Sequence, residues 1–170
     1  MTEPIILSII LVVSFVGITI WRTKELPESI SAMVWSLKGD WKWLWSVWLM
    51  AVSIFTFAPV IEILDARGLG FLGFLPAVCL AFVGAMPLFD VSNRKWHYTL
   101  AIIGGILSQV SVLVISPWWL LLWALMLGYV VCAIFIKKFQ DWMDGKGVLI
   151  AECICYLGVI GAQICYTLIR

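Results

Sequence analysis

Apolar residues along this chain come in long, nearly unbroken runs, with polar and charged residues gathered into the gaps between them. Six runs approach the roughly 20 residues that a helix needs to cross a bilayer. They are Ile5–Trp21, Leu44–Leu64, Leu69–Phe89, Tyr98–Ile115, Trp118–Ile136 and Val148–Ile169. Their length does not match the roughly 10-residue alternation of a membrane barrel strand, and a helix satisfies its own backbone in lipid. The pattern therefore predicts an all-α, polytopic bundle of six transmembrane helices in a single domain.

The gaps carry the expected punctuation. Ser116-Pro117 separates the fourth and fifth runs, since proline disfavours helix in the residue before it. Asp65 to Gly70 separates the second and third. Pro59, Pro76 and Pro87 fall inside runs, where they are expected to kink a helix without ending it. In the first gap, Ile30, Met33, Val34 and Leu37 stand at helical spacing. This predicts a short amphipathic helix over residues 29–37 on the inner membrane surface, with a re-entrant segment lining a cavity as the alternative.

Composition narrows the class. Hydrophobic residues make up 64% of the 170 and charged residues 12%, about half the soluble norm of roughly 25%. A water-soluble domain of this size could not hide so much apolar surface. The formal net charge of +1 leaves no basic patch for a nucleic acid. The lipid bilayer is the expected partner, with a homo-oligomer or a membrane partner protein beside it. Ile5–Trp21 lacks the basic start and small-residue cleavage site of a signal peptide, and is expected to be a retained helix.

Tryptophans mark the predicted ends: Trp21, Trp41, Trp43, Trp45, Trp96, Trp118, Trp119 and Trp142 form an interfacial belt, whereas Trp48 and Trp123 are expected to pack deeper. Nine of the eleven basic residues lie in the first, third and fifth gaps: Arg22, Lys24, Lys38, Lys42, Arg94, Lys95, Lys137, Lys138 and Lys146. Only Arg67 and Arg170 lie on the other side. Basic loops stay in the cytoplasm, so the odd loops are expected inside and both termini outside. Compactness and the absence of glycosylation sequons point to a bacterial inner (plasma) membrane.

Polar groups at membrane depth are costly and are candidates for function. They are Glu62, Asp65, Asp90, His97, Gln109, Glu152 and Gln163. In the sixth run Glu152, Tyr156, Val159, Gln163, Tyr166 and Arg170 make one helical stripe, expected to face the bundle interior. In the fourth, His97, Ala101, Gly104, Ser108 and Ser111 make a stripe of small residues suited to close packing. Helices four and six are expected to face each other, with Gly104, Ser108 and Tyr156 as packing residues.

Two accounts of the polar groups compete: a path for a proton, cation or small polar solute, or hydrogen-bonding glue between helices. A metal site is not expected, because there is one histidine and Cys153-x-Cys155 has no second pair. No cofactor is expected, and Gly68-x-Gly70-x-x-Gly73 reads as a turn followed by close packing because it joins two helices. The best functional expectation is a small transporter or channel-like protein. An accessory or assembly subunit comes next, and a small lipid-modifying enzyme built on Asp90, His97 and Glu152 last. No half-to-half repeat accompanies the transporter reading.

Overall fold

The computed structural model describes residues 2–37, 42–89, 94–136 and 146–169. Asp90, Trp41, Trp142, Lys38, Lys137, Lys138 and Arg170 lie outside the described residues. The described chain is a bundle of six α-helices without a strand. These are α1 (Thr2–Thr23), α2 (Lys42–Asp65), α3 (Gly70–Phe89), α4 (Arg94–Ile115), α5 (Trp123–Phe135) and α6 (Gly147–Ile169). A 3₁₀ helix over Ser31–Ser36 follows α1, and another over Pro117–Leu122 leads into α5. Five of these segments are long and apolar enough to cross a bilayer, counting Pro117–Phe135 as one. α3 is apolar from Gly70 to Met86.

α2 is the spine of the bundle. It packs most extensively on α3 and also meets α1 and α6, while α4 lies between α3 and α6. The α2–α3 pairing follows from its turn. Gly68 has φ of +70°, a left-handed conformation that costs glycine little, and the Leu69 amide returns to the Leu64 carbonyl at 2.9 Å. Five residues on, a β-carbon at Gly73 would lie 2.9 Å from the Ile61 backbone nitrogen. The two helices thus touch backbone to backbone, as small residues allow in membranes.

Pro76 illustrates how a proline is kept inside a membrane helix. Its missing N–H deprives the carbonyl four residues back of a helical partner, and that carbonyl, on Leu72, accepts the Ser111 hydroxyl of α4 at 2.8 Å. The Ser53 hydroxyl ties α2 to the Ala77 carbonyl of α3 at 2.7 Å. Arg67, in the α2–α3 turn, donates to the Val114 carbonyl at the end of α4 at 2.8 Å and lies 5.8 Å from the Tyr166 ring of α6.

Three expectations change. The segment at 29–37 is a 3₁₀ turn over Ser31–Ser36, and its Met33 and Val34 are buried in protein, against Trp45, Trp48 and Val83. Those apolar side chains already have protein partners and are not free to enter lipid. Trp45 leaves the interfacial belt for the core, fully buried beside Met33 and Val34, whereas Trp21, Trp43, Trp96 and Trp118 are exposed at helix ends. Trp48 does pack inward, stacked on Phe15 at 4.1 Å and donating to the Leu11 carbonyl at 2.8 Å.

Helices α4 and α6 are neighbours, but not through the faces expected. The small-residue stripe of α4 serves α3: a β-carbon at Gly104 would lie 2.9 Å from the Cys79 β-carbon, and Ser111 reaches Leu72. The contact with α6 uses the adjacent face, where Gly105 meets the Cys155 sulfur and Gln109 meets Gly158.

Candidate functional site

Glu152 stands one turn into α6, and the chain after α1 folds over it. The Ser29 hydroxyl donates to its Oε1 at 2.9 Å, and the backbone N–H groups of Ile30 and Ser31 donate to its two oxygens. The Ser29 and Ser31 hydroxyls are bonded to each other at 2.8 Å. Two further bonds fix the same segment, from Lys146 Nζ to the Leu26 carbonyl at 2.8 Å and from the Leu149 amide to the Glu28 carbonyl at 3.1 Å. Residues 26–31 therefore form a strap across the first turn of α6. A buried carboxylate needs donors of this kind, since each unmet polar group costs about 1–3 kcal/mol.

His97 lies against the strap from the other side. Its imidazole is fully buried and faces the main chain of Ser31 and Val83, with Trp45 at 6.1 Å and Tyr98 edge-on at 5.5 Å. The structure thus brings His97 and Glu152 to one strap.

The remaining polar residues are dispersed. Gln109 is tied to its own surroundings: its Oε1 accepts the Trp123 indole N–H at 3.0 Å, and its Nε2 donates to the Ser108 hydroxyl at 3.2 Å and the Cys155 carbonyl at 3.4 Å. Gln163 is fully buried and donates to the Thr56 carbonyl at 2.8 Å. The polar stripe of α6 does face the interior, but towards α1 and α2, where Tyr156 meets the Ser8 hydroxyl at 2.9 Å and Ser8 meets Thr56 at 2.7 Å. Glu62 and Asp65 stand at the opposite end of α2 from the strap. A cluster of Phe57, Val60, Val112, Val159 and Ala162 lies between the two ends.

The strap borders a cavity of about 740 Å³, within the usual range of roughly 300–1,000 Å³ for ligand pockets. Its walls are α2 (Trp48, Leu49, Val52), α4 from Tyr98 to Leu113 and α6 from Val148 to Val159. Leu120 and Trp123 close the end remote from the strap, and Ile30, Ser31 and Glu152 stand at the near end. The walls are almost wholly apolar. Several α4 residues on its rim, Tyr98, Ile102 and Ile106, are themselves exposed, as is Val148 on α6. The rim of the cavity at α4 and α6 is therefore exposed and mostly apolar.

Ser8, Thr56, Trp123, Ser29 and Ser31 were not among the expected site residues. Ser8 could have been found as a polar position in an apolar run. The strap could not, because its bonds to Glu152, Lys146 and Leu149 join residues 120 or more positions apart. Among the described residues no group of three or more His, Cys, Asp or Glu could hold a metal ion. No protein-family model, curated protein or solved structure matches this chain.

Proposed function

We propose that this chain is a small membrane-embedded carrier that takes up a lipid-like molecule sideways from the bilayer. The observation that carries this reading is the elongated apolar cavity, open between α4 and α6, with a buried carboxylate at one end. Along α6, Val148 to Val159 spans about 16 Å at a rise of 1.5 Å per residue, which suits a chain-like ligand better than a compact solute. A hydrated ion would have to pass the Phe57, Val112 and Val159 cluster, beside which Thr56, Tyr156 and Gln109 are already committed to hydrogen bonds within the protein. The reading therefore keeps transport but changes the cargo from a small polar solute to an amphiphile.

An accessory role is the second reading, and α5 favours it. None of its residues is buried, so its surface is free to meet a partner protein or a second copy.

The orientation we favour rests on the basic residues. Odd-numbered loops lie in the cytoplasm and both termini outside, in a bacterial plasma membrane, so the strap end of the cavity faces the cytoplasm. Impermeant maleimide added to intact cells should label Thr2→Cys and spare Glu25→Cys, in a chain with its native cysteines replaced. The reverse pattern would turn the molecule over.

The carrier reading is tested by native mass spectrometry of protein extracted gently from its own membranes. The wild type should retain an amphiphile, and Gly105→Phe should lose it by filling the cavity beside Cys155. Ala151→Phe, on the facing wall, is a second filling variant. If the wild type retains nothing that these variants displace, the carrier reading fails.

A further inference from the structure

We infer that the ligand has a head group that donates hydrogen bonds and carries no negative charge, a hydroxyl or an ammonium, and that anionic heads are turned away. This rests on the carrier reading and adds the ligand's chemistry to it.

The argument starts from what lines the cavity. Among the described lining residues Glu152 is the only charged side chain, and no lysine or arginine is with it. Both carboxylate oxygens are already used as acceptors, from the Ser29 hydroxyl and from the Ile30 and Ser31 amides. A carboxylate oxygen has lone pairs beyond those it has committed, so what it still offers an incoming head is acceptor capacity. Other polar groups on the lining, Ser31, Tyr98 and Tyr156, carry hydroxyls, which can give or take a bond. Lys146, just before α6, donates to the Leu26 carbonyl and is not part of the lining.

Position decides the rest. Glu152 stands at the strap end, and beyond it towards Leu120 and Trp123 the walls are mostly aliphatic and aromatic, with Thr56, Tyr156, Ser108 and Gln109 among them already hydrogen-bonded to protein partners. A tail therefore runs along α4 and α6 while the head stays at Glu152. A phosphate or carboxylate placed there would meet another acid with no cation among the described lining residues to offset it, in surroundings that screen charge poorly. A hydroxyl or ammonium would instead gain a charge-assisted bond. The exposed rim formed by Tyr98, Ile102 and Val148 admits the molecule from the leaflet on the strap side.

The test uses three photoreactive alkyl probes of one chain length, ending in a hydroxyl, an amine or a carboxylate. Each is added to the full chain in phosphatidylcholine vesicles, and the labelled peptides are identified. The hydroxyl and amine probes should label residues 98–113 and 148–159 at least about tenfold more than the carboxylate probe does, a preference of roughly 1.4 kcal/mol. Whichever of the two labels more strongly tells whether the natural head is neutral or cationic. Glu152→Gln should bring amine and carboxylate labelling close to parity while the tail-facing peptides are still labelled. Because Glu152 also holds the strap, Val148→Lys gives an independent check: it adds a cation at the rim and should raise carboxylate labelling with the strap intact. Equal labelling by all three probes in the wild type would overturn the head-group inference and leave the carrier standing. Labelling of these peptides no stronger than that of residues 124–135 of α5, which do not line the cavity, would overturn both.

Discussion

α2 and the segment Pro117–Phe135 are equally apolar by hydropathy, yet about half of α2's most apolar stretch is buried in protein and none of the other's is. Both are read as crossing the same bilayer, so apolarity does not separate them. What separates them is the small and polar residues placed between the apolar ones. α2 carries Ser46, Ser53 and Thr56, all buried, and faces Gly73 and Gly84 of α3, which let the two backbones close up. α5 has Ala124-x-x-x-Gly128, the same kind of close-packing spacing, but a β-carbon at Gly128 would meet nothing within 4 Å. In lipid, an apolar side chain gains little by leaving hydrocarbon for protein, so packing and hydrogen bonds decide which helix is held. α2 has both, whereas α5 is fastened mainly through its leading 3₁₀ turn, where Trp123 bonds Gln109 and Trp119 lies against Gly161.

The sharpest way to break this contrast is to make the same change on both sides of it. Gly73→Leu should prise α2 from α3, because the obstacle includes the Ile61 backbone, which cannot swing away. A loss on the order of 1–3 kcal/mol or more is expected, seen as aggregation or a collapsed melting transition in detergent. Gly128→Leu should leave stability within about 0.5 kcal/mol. If it shifts the protein's size on a native gel instead, α5 is covered by a partner or a second copy.

Between these extremes lies the strap. Glu152→Ala would strand the Ser29 hydroxyl and the Ile30 and Ser31 amides, at about 1–3 kcal/mol. Faster hydrogen exchange at Ile30 and Ser31, with α2 and α3 unchanged, is the expected signature. Slow exchange there in the variant would mean that His97 and Lys146 suffice to hold the strap. Gln163→Leu should cost less, within about 1 kcal/mol by thermal melting. It removes one bond to the Thr56 carbonyl but also a buried Oε1 that has no partner. A large loss would show that Gln163, and not apolar packing, joins α6 to α2.

The helices were legible because their signal is local and repeated: runs of apolar residues, broken at Ser116-Pro117 and at Asp65 to Gly70. The turn reading of Gly68 to Gly73 was legible for the same reason. The inward face of α6 could be read from spacing alone, but its partners could not, since Tyr156 finds Ser8 from the far end of the chain. Residues 29–37 misled because an apolar face at helical spacing looks the same whether it meets lipid or protein. Only the positions of Trp45, Val83 and Glu152 in space decide that, and the last two are far away in sequence. The cavity left no trace in the sequence, since a void is made by what several helices fail to fill together.

Arg67 has a consequence for how the chain is laid down in the membrane. It is the one described basic residue at the end of the bundle that carries the α2–α3 turn. Its guanidinium closes the last turn of α4 by bonding the Val114 carbonyl, one of the groups a helix leaves open at its end, and it sits over Tyr166 near the end of α6. Both partners are synthesised after it, so during insertion this cation emerges unmatched and finds its place only once the fourth and sixth helices have arrived. Arg67 thus acts as a clasp that joins the α2–α3 turn to the ends of α4 and α6.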